Sequence, residues 1–231
     1  MEGAVGTIVT LPAYQPLNDE ESNETTVKLN PNGSGTVTEK THLKGQRAAQ
    51  MKEQLKTSQP EKVRKYLEDS YKKTGRKLLD FFMTDPSAPG EDYETRISYT
   101  VPRFGSMTAG GLVFNLGGPS HRDDWLAALN LPRAQPFWFR ATDISKLAFT
   151  VELPAGASLK SRPADVQIDT PFMKAARKLN FKDNRLSVTE SSQLLDARLD
   201  PTQSPKVYEA FRKLQDHREY AFIVEMPTMQ P

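Results

Sequence analysis

"ETTVKLNPNGSGTVTEKTHLK", residues 24–44, carries two alternating runs on either side of a turn. Val27 and Leu29 on one arm and Val37 on the other fall on one face, because successive side chains of a strand point to opposite sides. Asn32 and Gly33 both tolerate positive φ, so the stretch predicts a β-hairpin. A hairpin with one apolar face must find further strands or helices to cover it.

Those strands follow along the chain. "KLLDFF" (77–82), "RISYTV" (96–101), "GLVFNL" (111–116), "QPFWFRA" (135–141) and "KLAFTVELP" (146–154) are strand patterns. In the last, Leu147, Phe149, Val151 and Leu153 alternate, the mark of an antiparallel sheet with one buried face. "LPAGASLKSRPADVQIDTP" (153–171) is broken by proline, which places its strands at sheet edges. "AARKLNFKDNRLSVTESSQLLDARLD" (175–200) predicts a second hairpin turning at Asp183-Asn184. Between strands, "GQRAAQMKEQLK" (45–56) sets Ala48, Met51 and Leu55 at helical spacing. "SQPEKVRKYLEDSYKKTG" (58–75) opens with a capping box between Ser58 and Glu61, has Pro60 in its first turn, and shows Val63, Leu67 and Tyr71 as a stripe ending at Gly75. Ser204 followed by Pro205 predicts the start of a last helix with Val207, Phe211 and Leu214 inside, and "EYAFIVEM" returns as a strand. The expected fold is α+β, mostly antiparallel β, with two packed sheets in a sandwich-like arrangement, an inserted helical hairpin near 46–74 and a C-terminal helix near 205–217. Residues 1–23 read as a linker or entering arm, and 24–227 as the domain, with a subdivision near 118–132.

The composition narrows the chemistry. None of the 231 residues is cysteine, which excludes disulfides, thiolate metal sites and a cysteine nucleophile in this chain. Basic and acidic residues nearly cancel, 31 against 29, so no global electrostatic partner is implied. In "SHRDDW" (120–125), His121, Asp123 and Asp124 could join a distant His42 or His217 in a metal or acid–base site, which is the basis of a hydrolase reading. A solvated loop, with Asp124 capping a short helix "DWLAALN", is the plainer account. Neither a nucleophile elbow nor a glycine-rich phosphate loop occurs. No catalytic residue, cofactor or metal site is assigned.

Two surfaces remain. From Lys44 to Lys77 there are 11 basic and four acidic side chains; a solvated helix face is the plainer account, and Arg47, Lys52, Lys56, Arg64 and Lys65 are the candidate basic face for an acidic partner or an anionic surface. Tyr66 and Tyr71 are too few and too helical for a base-stacking platform, which argues against nucleic acid. Phe137, Trp138 and Phe139 must split between the two faces of one strand, so that some pack in the core and Trp138 is a candidate contact residue. A free-standing carbohydrate- or lipid-binding module built on that aromatic strand is the alternative function.

The pieces, taken in order, resemble a known family. "TIVTLPAYQPLN" (7–18), the hairpin, "KGQRAAQMKEQL" (44–55), "LPRAQPFWFRA" (131–141), "VELPAGASLKSRPADVQID" (151–169) and "DPTQSPKVYEAFRKLQDH" (200–217) are similar to the C-terminal, β-rich region of bacterial proteins that carry a transglutaminase-like, papain-fold domain. The resemblance implies a non-catalytic accessory or interaction domain that packs on, or recruits partners for, the catalytic core. That family's Cys-His-Asp set lies in the preceding core, and no residue here matches it. The resemblance further implies a periplasmic or secreted location, with an export signal N-terminal to this chain.

Overall fold

Around the turn at Gly33 the chain folds back as the hairpin predicts. The computed structural model describes residues 19–90, 92–115, 134–139, 144–195, 197–219 and 221–226. Strand β1 (Glu20–Leu29) pairs antiparallel with β2 (Gly35–Lys44), in a register running from Glu21↔Leu43 to Leu29↔Gly35. Of the two turn residues only Gly33 takes positive φ, at 80°. Asn32 contributes its side chain instead, accepting from the Ser34 amide at 3.0 Å, as asparagine does when it mimics a backbone turn.

β1 begins four residues before the predicted domain boundary. Residues 20–23 belong to the sheet because Glu20–Lys28 runs parallel to β8 (Ile144–Glu152), with Glu20 opposite Ile144 and held by Lys146 at 2.7 Å. This is the one parallel pairing among the described strands.

After β2 come the helices α1 (Gln46–Leu55) and α2 (Pro60–Lys73). The strands β3 (Lys77–Met83), β4 (Asp92–Val101), β5 (Ser106–Thr108), β6 (Gly111–Phe114) and β7 (Phe137–Phe139) lie between α2 and β8. Beyond β8 are β9 (Ser158–Ser161), β10 (Val166–Asp169), β11 (Met173–Lys182), β12 (Arg185–Leu194) and β13 (Ala197–Leu199), then helix α3 (Ser204–Glu219) and β14 (Phe222–Glu225). Eight strands make one sheet in the order β10-β11-β12-β8-β1-β2-β4-β3, four make a second, β5-β6-β14-β9, and β13 pairs with β7. The proline-punctuated strands β9 and β10 both lie at edges, as read. The β11–β12 hairpin turns at Asp183 and Asn184, with φ of 51° and 57°.

Two caps differ from their sequence reading. The N-cap of α2 is Gln59, with no side-chain cap bond, because the Ser58 amide donates to Leu55 O at 2.7 Å and closes the end of α1. Before α3 the chain makes a 3₁₀ turn, Pro201–Gln203, capped by a box between Asp200 and Gln203. Ser204 is thereby pushed inside the helix, and its buried hydroxyl has no hydrogen-bond partner among the described residues. Asp200 wins because its carboxylate accepts from the Thr202 amide at 2.9 Å, one turn earlier.

The large sheet has one buried and one wet face. Val27, Val151, Leu186 and Val188 are 0% exposed on the inner face, and each such side chain contributes about 1.5–3 kcal/mol on leaving water. The intervening residues, such as Thr26, Lys28, Lys146 and Thr189, carry the polar side of the same alternation. The four-stranded sheet covers this core with Leu112, Phe114, Phe222 and Val224, and Phe104 bridges the two sheets, 5.3 Å from Phe114 and 6.4 Å from Phe149. This is the expected packing of two sheets. A second core lies where α3 sets Val207, Phe211 and Leu214 against Phe139, Ile168 and Phe172. A third joins Ala48, and the flanking Met51 and Val63, to Leu43 and Tyr93. The inner face also carries a charged pair, Arg177 and Glu190, directly opposite each other at 3.9 Å.

Candidate functional site

α1 departs from the sheet at Gly45 (φ 63°), so that one side of the helix looks back across β1 and β2. Gly45 has no side chain with which to cap the helix. Asp19 does so from outside, accepting from the Gln46 amide at 2.6 Å, and its carboxylate also suits the positive end of the helix dipole. One residue pair further, Glu21 is ion-paired with Arg47. Glu21 also accepts from Asn23 at 2.9 Å, and Asn23 accepts from Thr41 at 2.8 Å. A hydrogen-bonded relay thus runs from the helix onto the sheet.

Between helix and sheet is a cleft of about 500 Å³. Asp19, Glu21, Thr41 and Leu43 line it from the sheet side, and Gln46, Arg47, Gln50, Met51 and Gln54 from α1. Gln46, Gln50 and Gln54 repeat every fourth residue and so stand above one another. Each amide can donate and accept, and the Asp19 and Glu21 carboxylates only accept. The arrangement suits a ligand with alternating donors and acceptors and some apolar surface for Leu43 and Met51. Asp19 and Glu21 were hidden from sequence reading by the assignment of residues 1–23 to an arm. The glutamine spacing in "QRAAQMKEQ" was the available signal.

The predicted basic face does not form as one surface. Lys52 is buried, 9% exposed, and its ammonium donates to Ala88 O at 3.2 Å and Gly90 O at 2.9 Å, tying the β3–β4 loop to α1. That corrects its assignment to a solvated contact surface: a long lysine stem packs well and needs only carbonyls for its head. Arg47 lies in the cleft against Glu21. Lys56 pairs with Glu53 at 3.3 Å and Arg64 with Glu68 at 3.0 Å, while Lys65 is exposed.

The aromatic strand does split. On β7, Phe139 is 5% exposed and stacks 5.5 Å from Phe172, whereas Trp138 is 74% exposed and lies opposite Arg198 of β13. Core packing therefore describes Phe139 and not Trp138. The side chain of Phe137 lies outside the described part of the molecule. So do His121, Asp123, Asp124, the segment "DWLAALN", Leu116, the side chain of His217 and the boundary near 118–132. His42, the described member of that histidine set, sits on β2 and is 3.3 Å from Asp92. Among the described residues no group of three His, Asp or Glu could hold a metal, and no helix is long and apolar enough to cross a membrane.

Comparison with known proteins adds the following. No curated protein matches the chain. In the crystal structure of a protein from Parabacteroides distasonis, provisionally described as a protease, a region is similar to 51% of this chain at 20% identity and a TM-score of 0.42. That region is 24% of the larger protein. Residues 123–224 match the family described as a domain of unknown function with a solved structure, DUF3858.

Proposed function

We propose that this chain is a non-catalytic interaction domain of a larger bacterial envelope protein, packing on or recruiting partners for a transglutaminase-like catalytic domain. One observation carries the reading: Trp138, on a strand anchored from behind by Phe139 and Leu199, is 74% exposed opposite Arg198. Leaving so large an apolar side chain in water forgoes about 1.5–3 kcal/mol. Trp and Arg are the residues that most often dominate binding when a partner covers them. The ordered motif resemblance supports the neighbouring catalytic domain and the envelope location. Bond chemistry would belong to that neighbour, since this chain acts by contact.

The test introduces Trp138→Ala into the whole parent protein and, separately, into this chain mixed with the catalytic portion. Association is read by titration calorimetry, and Trp138 emission is followed in a Trp125→Phe background. The expected result is a blue-shifted, quencher-protected indole on association and at least about tenfold weaker binding in the variant. Unchanged association in Trp138→Ala refutes the reading. Protection of the indole by oligosaccharides or lipid vesicles, without the catalytic portion, would replace it with the carbohydrate- or lipid-binding alternative.

A further inference from the structure

We infer that the outer face of the eight-stranded sheet binds an anionic polysaccharide, laid across the strands on a lane of short hydroxyl side chains. Cross-strand pairing sets Asn180, Ser187, Thr150, Thr26, Thr38 and Ser98 opposite one another in turn, from β11 through β12, β8, β1 and β2 to β4. All lie on the wet face, because the residues beside them, Leu179, Val188, Val151, Val27, Val37 and Tyr99, point into the core. A polar outer face is by itself the ordinary solvated side of a sheet. Two observations set this one apart. The hydroxyls of Thr38 and Ser98 hydrogen-bond to each other at 3.0 Å, whereas the side chains of Thr26, Thr150, Ser187 and Asn180 form no hydrogen bond among the described residues. The charges divide in the same way. Beside Thr38 and Ser98 they are matched, Lys40 with Glu94 and Arg96 with Asp80, each at 3.4 Å. Beside the other half of the lane, Lys28, Lys182 and Arg185 on one side and Lys178 on the other are exposed and form no ion pair among the described residues. The acids in the same two rows are Glu152, between Arg185 and Lys28, and Glu24, so this half keeps an excess of positive charge.

Spacing and chemistry identify the class. The lane's hydroxyls repeat at the strand separation, about 4.8 Å, close to the length of one pyranose unit. A hydroxyl both donates and accepts, as a sugar hydroxyl does, so each can pair with the other in either sense. An extended peptide offers like-directed groups at intervals of about 6.8 Å and falls out of step. No aromatic side chain stands in the half from Asn180 to Thr26, which argues against stacked bases. No large apolar side chain stands there either, which leaves nothing to enter a bilayer. The unpaired ammonium and guanidinium groups call for carboxylates on the ligand, and these supply the attraction that a neutral sugar would need an aromatic ring to gain. From Asn180 to Thr26 the lane crosses three strand separations, about 14 Å, or about three sugar units.

The probe is tetragalacturonate, titrated into the full chain at low salt and read by calorimetry. Four proteins are compared: the native chain, Thr26→Val/Thr150→Val, Lys178→Gln/Lys182→Gln and Trp138→Ala. Valine keeps the shape and strand preference of threonine, and both lysines are exposed, so the fold is retained, which circular dichroism and the urea midpoint check. Saturable binding is expected, weakened about tenfold by either double variant and unchanged by Trp138→Ala. Cellotetraose, which lacks the carboxylates, and hexaglutamate, which lacks the sugar hydroxyls, should both bind more weakly than tetragalacturonate. The inference is overturned by no saturable binding up to about 1 mM ligand, or by binding that Thr26→Val/Thr150→Val leaves unchanged. It is also overturned if cellotetraose or hexaglutamate binds as tightly, since either result removes one half of the recognition. Because Trp138 lies on β7, outside the lane, failure here is separate from failure of the interaction-domain reading.

Discussion

Gly90 and Gly111 have almost the same backbone angle, φ of 117° and 120°, in opposite surroundings. An alanine at either position pays for that angle, about 1–3 kcal/mol. At Gly90 the added methyl meets nothing within 4 Å among the described residues. At Gly111, where β6 starts, it would stand 2.2 Å from the Val224 carbonyl oxygen and 2.9 Å from its carbon. Ordinary contact begins at 3.4 Å, so β14 would have to retreat by 3.4 − 2.2 = 1.2 Å. That retreat loosens the Val224↔Leu112 pairing and the packing of Phe222 and Val224, both 0% exposed. A weakened ladder bond and partly unpacked side chains bring Gly111→Ala to about 4–5 kcal/mol, the range of core disruption. Gly90→Ala should stay near the cost of the angle alone. For a chain of this size a gap of about 3 kcal/mol is about 6–12 °C in melting temperature. Equilibrium urea unfolding and calorimetry of the two variants measure it. Equal destabilisation of both would refute the claim that β14 seals the small sheet against Gly111.

Three further expectations concern buried or paired polar groups. Lys52→Met removes two ammonium–carbonyl bonds and should cost about 1–3 kcal/mol; no change in the urea midpoint would show that the β3–β4 loop does not need its anchor. The Tyr99 hydroxyl donates to Glu39 at 2.8 Å, and burial first, then Glu39, raises its pKa. Burial likewise raises Tyr71 and Tyr93. A raised folded value means that the fold prefers the protonated phenol. Stability is therefore full below the ordinary tyrosine value, about pH 10, and falls as pH rises through the folded values. Tyr99→Phe should flatten that alkaline fall, measured by denaturant midpoints across the range; an unchanged slope would contradict it. On the acid side the hydrogen bond from Lys146 lowers the pKa of Glu20. Its contribution is present above the ordinary glutamate value and is lost as pH falls through the folded one, so Lys146→Met should weaken the acid dependence without altering the alkaline limb.

The alternation of Leu147, Phe149, Val151 and Leu153 and the stripe Val207, Phe211 and Leu214 were legible because burial repeats at the period of the element. Gly75 and the Asp183-Asn184 turn were legible for a similar reason, since backbone geometry restricts which residues fit. The caps were less so: Ser58 and Ser204 are good candidates by type, but Asp200 and the Leu55 carbonyl compete for the same turns, and only the traced chain shows which bond forms. Lys52 illustrates a different limit. Its sequence neighbours are those of a solvated helix, and the carbonyls of Ala88 and Gly90 that bury it lie 36 and 38 residues away.

The cleft shows the division most clearly. Sequence by itself determines that Gln46, Gln50 and Gln54 share one side of α1, because 3.6 residues per turn brings every fourth residue round. It likewise determines the mostly antiparallel strands, the helical hairpin and the absence of a thiol. Tertiary structure alone decided that Glu20 continues a strand, since its parallel partner Ile144 is chosen by sheet order and not by any local preference. It also decided that Asp19 caps α1 from 27 residues away and that Glu21 faces Arg47 across the cleft. Periodicity and propensity act over a few residues; strand order and long-range ion pairs are settled by which surfaces the whole chain can bury together.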